Sequence, residues 1–179
     1  LSQIPHLTNR LYMNSGESNG RYWLLVHDID GQEVHQVAKQ VREKLPAQNE
    51  RVAHLLDLLR KVSAFYDALY AGGYLHGDVQ PAHTYLEHDE ITVIDWGLAR
   101  KINESNPLYK GGFIYFIAPE IAECMQRGET FIDYAPRSEV YALGATLYVF
   151  YTGSIPLDFG ISKAGLQQAP MEQKLQRVV

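Results

Sequence analysis

The chain has 179 residues, of which 46% are hydrophobic, with a formal net charge of −5 and a single cysteine, Cys124. That apolar content is enough for one compact domain or for a piece of a slightly larger one. The acidic balance gives no reason to expect nucleic acid or an anionic membrane as a partner. No apolar run is as long as a membrane span, and residue 1 does not open a signal-peptide pattern. The lone cysteine cannot form an internal disulfide, which fits a reducing, cytoplasmic location.

The first part of the chain predicts a β-hairpin. Residues 9–13 and 22–26 have the composition of strands, and the polar residues 14–20 read as the turn between them. This turn contains glycines, but they lack the spacing of a phosphate-binding loop and no helix follows them. A plain hairpin is therefore the better interpretation of this segment.

Two helices are predicted next. Residues 32–44 form a short helix that Pro46 stops. Residues 49–71 carry apolar side chains at spacings of three and four, which indicates a long amphipathic helix, and Gly72-Gly73 supply its stop signal. The apolar stripe of this helix consists of Val52, Leu55, Leu56, Leu59, Val62, Phe65, Tyr66 and Leu69.

A second hairpin is predicted between two acidic residues, Asp78 and Asp95, which lie 17 positions apart. Residues 84–86 read as a short strand and the β-branched residues 91–94 as its return, with a polar turn between them. Because a hairpin brings its exit back beside its entrance, we expect Asp95 to lie close to Asp78 and His83. Carboxylates paired in this way suit a Mg²⁺-nucleotide site, since Mg²⁺ takes one or two carboxylates together with phosphate oxygens.

Three further elements are predicted towards the carboxyl terminus. Residues 100–112 form a polar loop dotted with aromatic side chains. Residues 140–151 are almost continuously apolar and predict a buried helix. Residues 171–179 read as a final helix with one polar face.

Motifs around the two acidic residues resemble the protein kinase superfamily. His76-Gly77-Asp78 stands where that family has His-Arg-Asp, and Asp95-Trp96-Gly97 stands where it has Asp-Phe-Gly. Ala118-Pro119-Glu120 reproduces the Ala-Pro-Glu that closes the activation segment. Residues 138–144 resemble the start of the buried central helix, and residues 21–29 the last small-lobe strand entering the hinge. The resemblance implies an α+β, protein kinase-like fold, with a mostly helical large lobe and a remnant of the small-lobe sheet.

The resemblance also implies a division of the chain. Residues 1–31 would form the end of the small-lobe sheet and the hinge, and residues 32–179 a large lobe that is incomplete at its carboxyl terminus. The match lacks three parts of the family pattern: the glycine-rich loop, the strand lysine that binds the phosphates, and the glutamate that pairs with this lysine. We therefore expect the chain to be part of a longer polypeptide, whose further domains are candidate partners.

By resemblance, four residues would act on ATP and its metal ions. Asp78 would orient the attacking hydroxyl group and accept its proton, and Gln80 stands beside it where the family has a lysine. Asp95 would hold the Mg²⁺ ion that bridges the phosphates. His83 occupies the position of an asparagine that binds a second metal ion. The alternative for His83 is that it packs against or hydrogen-bonds Asp78 and touches no metal.

The remaining roles are also implied by the resemblance. The backbone of His27 and Ile29 would meet the adenine edge, with Val26 at the gatekeeper position. Tyr85 would lie beneath the base, although it could equally be an ordinary core residue. Two further residues would be structural: His76 would brace the turn at Asp95, and Glu139 would accept backbone N–H bonds from the catalytic loop.

Four positions depart from the family pattern. Gly77 replaces an arginine that pairs with a phosphorylated activation loop, so phosphorylation of that loop would find no charge partner there. Gln80 replaces a lysine, and the lost charge would cost about 2–4 kcal/mol of transition-state stabilisation. His83 offers an imidazole, which suits Mn²⁺ better than Mg²⁺. Phe113 stands where serine/threonine kinases usually place a threonine.

These observations leave several functions open. The first is an ATP-dependent phosphotransferase acting on a serine, threonine or other hydroxyl group of a protein or small molecule. The second is a pseudokinase that binds or scaffolds, and the third is a small-molecule kinase of the aminoglycoside or choline type. The acidic and histidine side chains also invite a zinc interpretation, although their spacing matches no recognised ligand pattern. That set comprises His76, Asp78, His83 and His88.

Overall fold

A computed structural model of the chain divides into two compact units, Leu1–Gly31 and Gln32–Val179. The structure describes residues 12–102, 112–129, 132–158 and 163–179.

The smaller unit contains an antiparallel hairpin of strands β1 (Tyr12–Ser18) and β2 (Arg21–Val26). Asn19 and Gly20 form its turn, and both have positive φ, 53° and 70°. The prediction of a long polar turn over residues 14–20 was wrong, because β1 continues through its polar residues to Ser18. An Asn-Gly pair fits the two-residue turn whose twist matches that of the strands, and backbone pairing tolerates polar side chains on an exposed strand. The part of the predicted first strand before Tyr12 lies outside the described residues.

The larger unit combines helices with short antiparallel ladders. Its elements follow in chain order: β3 (Gln32–Glu33), α1 (Val34–Lys44), α2 (Gln48–Ala71), β4 (Tyr74–Leu75), β5 (Thr84–Glu87), β6 (Glu90–Val93), β7 (Arg100–Lys101), α3 (Pro119–Gln126), α4 (Pro136–Thr152), α5 (Lys163–Gln168) and α6 (Met171–Leu175).

Helices α1, α2 and α4 pack on one another and carry the second hairpin. Helix α2 confirms the predicted helix to within one residue, but its buried face is rotated from the predicted stripe. Leu58 is buried, whereas Leu56 is 42% exposed. The fully buried positions recur every three or four residues, as helical periodicity requires. They are Leu55, Leu58, Val62, Tyr66 and Leu69.

The second hairpin forms as predicted, with a tighter turn. Strands β5 and β6 pair with Thr84 opposite Val93, and β3 adds to the free side of β5. The turn consists of His88 and Asp89 alone, both with positive φ. Two such residues form the primed type of turn that suits a tight hairpin. The ladder continues past the strand ends, because the backbone N–H of Ile94 donates to the carbonyl oxygen of His83 over 3.0 Å.

The predicted elements of the last third differ mainly at their ends. Helix α4 begins at Pro136, four residues before the predicted start, and proline is well tolerated in a first helical turn. Helix α6 ends at Leu175, so the predicted helix over residues 171–179 was too long. The predicted loop over residues 100–112 was wrong at its start, because β7 pairs with β4. Residues 103–111 of that loop lie outside the described residues.

A hydrophobic core joins α3, α6 and the segment before α3. Among the described residues, no helix is both long and apolar enough to cross a membrane. The buried members of this core are Leu75, Ile114, Ile117, Ala118, Ile121, Ala122, Ile132, Tyr134, Leu175 and Val178.

Candidate active site

The mouth of the β5–β6 hairpin gathers the two acidic residues and the histidine that the sequence singled out. One ligand atom from each of Asp78, His83 and Asp95 lies within 4.8 Å of the other two. The hairpin itself produces this proximity, since His83 precedes β5 and Asp95 follows β6 by two residues. The prediction that Asp95 returns to Asp78 and His83 is thus confirmed, and the carboxylates share one site.

Asp95 stands on a constrained turn. Its backbone adopts the left-handed conformation, with φ 59° and ψ 65°, which is uncommon for any residue with a side chain. Trp96 holds the turn in place, because its indole Nε1 donates to the carbonyl oxygen of Val93 over 2.8 Å. The Trp96 ring also lies edge-on to the ring of His76, with 4.7 Å between centroids. The turn presents the Asp95 carboxylate outwards, with 59% of the side chain exposed.

Asp78 is more enclosed. Its side chain is 15% exposed, and its Oδ2 accepts a hydrogen bond from Nε2 of Gln80 over 3.0 Å. Burial raises the pKa of the Asp78 carboxyl above its usual value, while His83 and the hydrogen bond from Gln80 act in the opposite direction. A carboxylate with a raised pKa is a stronger base than an exposed one, which suits a group that must accept a proton.

Below the site, His76 links the two acidic segments. The ring is fully buried; its Nε2 lies 2.9 Å from the carbonyl oxygen of Ile94, and its Nδ1 accepts the backbone N–H of Asp78 over 3.2 Å. Since a carbonyl oxygen only accepts, Nε2 carries the proton and the ring is neutral. Burial lowers the pKa of His76 to about 4, in agreement with that tautomer. The predicted bracing contact between His76 and the turn at Asp95 is present.

Glu139 of α4 supports the same loop from the other side. Its Oε1 and Oε2 accept the backbone N–H groups of His76 and Gly77, each over 2.8 Å. Burial raises the pKa of Glu139, and these two hydrogen bonds oppose that change. The predicted contact is confirmed: the glutamate reaches the loop and satisfies two buried donors.

His83 divides its two ring nitrogens between the two acidic residues. Nδ1 lies 3.0 Å from the backbone carbonyl oxygen of Asp78, and Nε2 lies 3.6 Å from Oδ2 of Asp95. Because the carbonyl can only accept, Nδ1 carries a proton, and Nε2 faces the Asp95 carboxylate. The hydrogen bond to Asp78 is therefore present and leaves Nε2 able to bind a metal ion.

The four residues that the sequence predicts to contact nucleotide lie in different units. Val26 ends β2, and His27 and Ile29 follow it in a stretch without regular structure in the smaller unit. Tyr85 belongs to the larger unit, where it is half-buried in β5 opposite Glu33. Their roles towards adenine stay predictions.

The zinc set suggested by the sequence is not assembled. Both ring nitrogens of His76 are engaged by the backbone. His88 occupies the turn at the opposite end of the hairpin from His83. The side chains that do converge include Asp95, which the sequence-based zinc set left out.

Two features of the site were not predicted from the sequence. One is the indole of Trp96, whose hydrogen bond to Val93 fixes the turn; no spacing in the sequence signals it. The other is the anchoring of Glu120, from the Ala-Pro-Glu motif, to the start of α4. Ser138 Oγ donates to Glu120 Oε1 over 2.7 Å, and Arg137 Nε lies 3.6 Å from the same oxygen.

A groove of about 940 Å³ has Gln80 among its lining residues. The aromatic side chains of Phe113, Tyr115 and Phe116 line part of it. Phe113 and Tyr115 meet edge to face, with 4.7 Å between ring centroids. Gln80 lines this groove and also donates to the Asp78 carboxylate, so its side chain borders both the groove and the acidic site.

The arrangement is that of a protein kinase: a loop carrying a buried acid, a hairpin, a second acid on a tight turn, and a glutamate from a central helix beneath the loop. The profile of the protein kinase domain family matches residues 5–178, nearly the whole chain. The chain belongs to the protein kinase domain family.

Proteins similar to this chain include bacterial kinases. The chain is 27% identical to the serine/threonine-protein kinase pkn3 of Myxococcus xanthus, with 88% of this chain and 29% of the relative covered. It is 28% identical to the serine/threonine-protein kinase PknE of Mycobacterium tuberculosis, covering 86% and 25%. It is 23% identical to the probable serine/threonine-protein kinase PknB of Lactococcus lactis, covering 80% and 21%. The chain thus spans less than a third of the length of these relatives.

Membership of the family implies the use of ATP and a divalent metal ion. The donor chemistry of the site fits such an ion, because two carboxylates and a ring nitrogen converge within 4.8 Å. Carboxylate oxygens are the protein ligands that Mg²⁺ prefers, and imidazole is accepted more readily by Mn²⁺.

Proposed function

We propose that the protein of which this chain is part is an ATP-dependent protein kinase that transfers the γ-phosphate to a serine, threonine or other hydroxyl group. The observation that carries this proposal is the convergence of Asp78 and Asp95 at the mouth of one hairpin. Phosphoryl transfer needs a proton-accepting group and a charge-neutralising group at the same phosphate, and two carboxylates so close can serve both needs. The names of the relatives favour a protein substrate.

In this proposal Asp78 acts on the acceptor. Its carboxylate orients the hydroxyl group and accepts its proton while the hydroxyl oxygen bonds to the γ-phosphorus, and the bond from that phosphorus to the β-phosphate oxygen breaks to release ADP. Gln80 steadies the carboxylate through its hydrogen bond and has an amide donor to offer a phosphoryl oxygen. The groove lined by Phe113 and Phe116 is where the acceptor would enter.

On the nucleotide side, Asp95 would hold the metal ion, with His83 beside it. A bound divalent ion would supply positive charge against the phosphate oxygens. The exposed Asp95 carboxylate is accessible for this purpose, whereas the Asp78 carboxylate is mostly enclosed. The backbone of His27 and Ile29, the side chain of Val26 and the ring of Tyr85 would contact the base.

The test uses the full-length protein that contains this segment, with radiolabelled ATP and a general protein substrate. Asp78→Asn and Asp95→Asn are each expected to abolish transfer, because one removes the proton acceptor and the other a metal ligand. Asp89→Asn is the matched control: it changes an exposed aspartate at the far end of the same hairpin and should keep activity. If both site variants retain the parental rate, the measured activity belongs to another protein and the proposal is wrong.

A second candidate, a pseudokinase that binds nucleotide without turnover, is favoured by a specific observation. The amide of Gln80, at the position of the family's lysine, is hydrogen-bonded to the carboxylate that would act as base. An amide brings no positive charge to the phosphates, so the protein would still bind nucleotide although it no longer transfers the phosphate. Nucleotide binding by the parent protein, without phosphate transfer to any hydroxyl substrate, would select this candidate over the enzyme.

A further inference from the structure

Phe113 lies beside the carboxylate that is expected to accept the proton. Its backbone N–H hydrogen-bonds Asp78, which acts to lower the pKa of that carboxyl group. Phe113 and Phe116 line the small pocket against Asp78, and both also line the large groove that Gln80 borders. An acceptor that reaches the Asp78 carboxylate from the groove therefore lies against these two residues.

The ring of Phe113 is only partly covered by its own neighbours. It meets Tyr115 edge to face, with 4.7 Å between centroids, and it lies stacked near Phe116, with 6.1 Å between centroids and 24° between planes. Phe113 nevertheless stays 48% exposed. A bound acceptor with apolar surface of its own would remove this area from water, and that burial is favourable.

An aliphatic acceptor covers this ring poorly. The side chains of serine and threonine are short, so their hydroxyl group reaches Asp78 only if the peptide backbone itself comes close to Phe113. Backbone polar groups lose their hydrogen bonds to water beside an apolar ring, which costs free energy. A tyrosine instead places a planar ring between its backbone and its hydroxyl group, and aromatic rings pair favourably edge to face or offset.

The chemistry around Asp78 favours the same kind of acceptor. Gln80 brings no positive charge to the reacting phosphate, whereas a lysine at its position would. A phenol has a pKa of about 10, while an aliphatic hydroxyl group is about as weak an acid as water, whose pKa is about 15.7. Because a phenol releases its proton more readily, its phosphorylation depends less on the charge that Gln80 lacks.

We propose that Phe113 is a specificity-determining residue that makes the acceptor site selective for the phenolic hydroxyl group of tyrosine. This inference rests on the proposed function and names the acceptor within it. The phenolic oxygen forms a bond to the γ-phosphorus, and its proton passes to Asp78. The bond between that phosphorus and the oxygen bridging to the β-phosphate breaks, so the products are phosphotyrosine and ADP.

The test gives the full-length protein radiolabelled ATP, a divalent metal ion and three peptides that differ only around the acceptor. One has tyrosine between two alanines, one has serine between two alanines, and one has serine followed by phenylalanine. We expect kcat/KM for the tyrosine peptide to exceed that of both serine peptides by at least about tenfold, the lower end of what one apolar contact in a pocket discriminates. A serine peptide that matches the tyrosine peptide would overturn the proposal. If only the peptide with phenylalanine does so, the groove recognises a residue beside the acceptor instead.

Variants at position 113 identify the residue that is responsible. Phe113→Thr should reduce the preference for tyrosine over serine by about tenfold, whereas Phe113→Tyr keeps an aromatic ring and should retain it. Tyr70→Thr is the matched control, because Tyr70 is an aromatic residue of α2 that is 52% exposed and does not line the groove. An unchanged preference in Phe113→Thr, or an equal reduction in Tyr70→Thr, would contradict the assignment. The comparison of peptides on the parent protein stands even if Phe113→Thr fails to fold.

A binding measurement separates this proposal from the proposed function. The same three peptides are titrated into the full-length protein by isothermal calorimetry without nucleotide, so the result does not depend on phosphate transfer. The parent should bind the tyrosine peptide about tenfold more tightly than either serine peptide, and Phe113→Thr should lose this difference. This binding difference without transfer to any peptide would contradict the kinase activity and support the selectivity. Equal affinities for the three peptides would overturn the selectivity, whether or not the protein transfers phosphate.

Discussion

Gly77 occupies the position of the family's arginine, and its backbone leaves no room for one. Its φ is +83°, in the left-handed region that residues with a side chain rarely adopt. A β-carbon at this position would lie 2.4 Å from the backbone oxygen of Leu98. The absence of an arginine at position 77 is therefore tied to the local geometry, because an arginine there would require Leu98 to move.

We expect Gly77→Ala to lower the free energy of unfolding by more than the cost of a left-handed alanine alone. That conformational cost is about 1–2 kcal/mol, and the collision with Leu98 should add about 1–3 kcal/mol. Gly73→Ala is the matched control, because Gly73 has φ +84° and a β-carbon there would meet no atom within 4 Å. Urea denaturation of both variants measures the difference. Equal losses would show that the Leu98 segment relaxes without cost.

At the scale of elements, the carboxyl end of α4 depends on a residue from another helix. Arg42, in the last turn of α1, donates a hydrogen bond from its Nη1 to the carbonyl oxygen of Phe150. The last carbonyl groups of a helix lack partners within it, and a nearby cation also interacts favourably with the helix dipole. Gly153 then ends α4 in the left-handed conformation, close to the guanidinium group. Burial lowers the pKa of Arg42 from its usual value.

Arg42→Ala should therefore destabilise the larger unit by about 1–2 kcal/mol, since the hydrogen bond to Phe150 and the dipole interaction are both lost. Lys44→Ala is the control, because Lys44 lies in the same last turn of α1 and is exposed. The expected change for the control is within about 0.5 kcal/mol. Thermal or urea unfolding distinguishes the two variants. A loss as large for Lys44→Ala would assign the effect to α1 itself rather than to the end of α4.

For the whole molecule, the buried histidine beneath the site predicts how stability depends on pH. His76 has its pKa lowered to about 4 in the folded protein, from 6.5 in an exposed histidine, because burial disfavours the charged ring. The unfolded chain therefore binds a proton at a higher pH than the folded chain. The contribution of neutral His76 to stability is complete above about pH 6.5 and declines as the pH falls towards 4.

The expected decline is up to about 1.4 kcal/mol for each pH unit over that window. His76→Gln serves as the reference, because glutamine can still donate a hydrogen bond but does not titrate. The measurement is the free energy of unfolding of both proteins between pH 4 and 7, in buffer with a chelator. The difference between the two curves isolates His76 from Glu139, whose raised pKa acts in the opposite direction. Parallel curves would mean that the ring is already charged or accessible in the folded state.

Local patterns in the sequence determined the elements that carry the site. A β-branched run after a polar turn predicted the β5–β6 hairpin, and apolar spacing predicted α2 to within a residue. The return of Asp95 beside His83 follows from hairpin geometry, so the neighbourhood of Asp95 and Asp78 could also be predicted from the sequence. These features depend on residues that are close in sequence. The spacing of apolar residues and the residue types at turns depend on the same neighbours, so they predict such features directly.

The tertiary structure decided the properties that depend on residues distant in sequence. The burial of Leu58 rather than Leu56 follows from how α2 meets its packing partners, which a periodic pattern locates only to within a turn. The orientation of the His83 ring follows from the carbonyl group that its Nδ1 meets, and the requirement for glycine at position 77 follows from the approach of Leu98. Which side chain is buried, which atom is hydrogen-bonded and which position requires glycine all depend on small differences in distance. These distances separate segments that meet only in the folded chain, so a sequence pattern does not contain them.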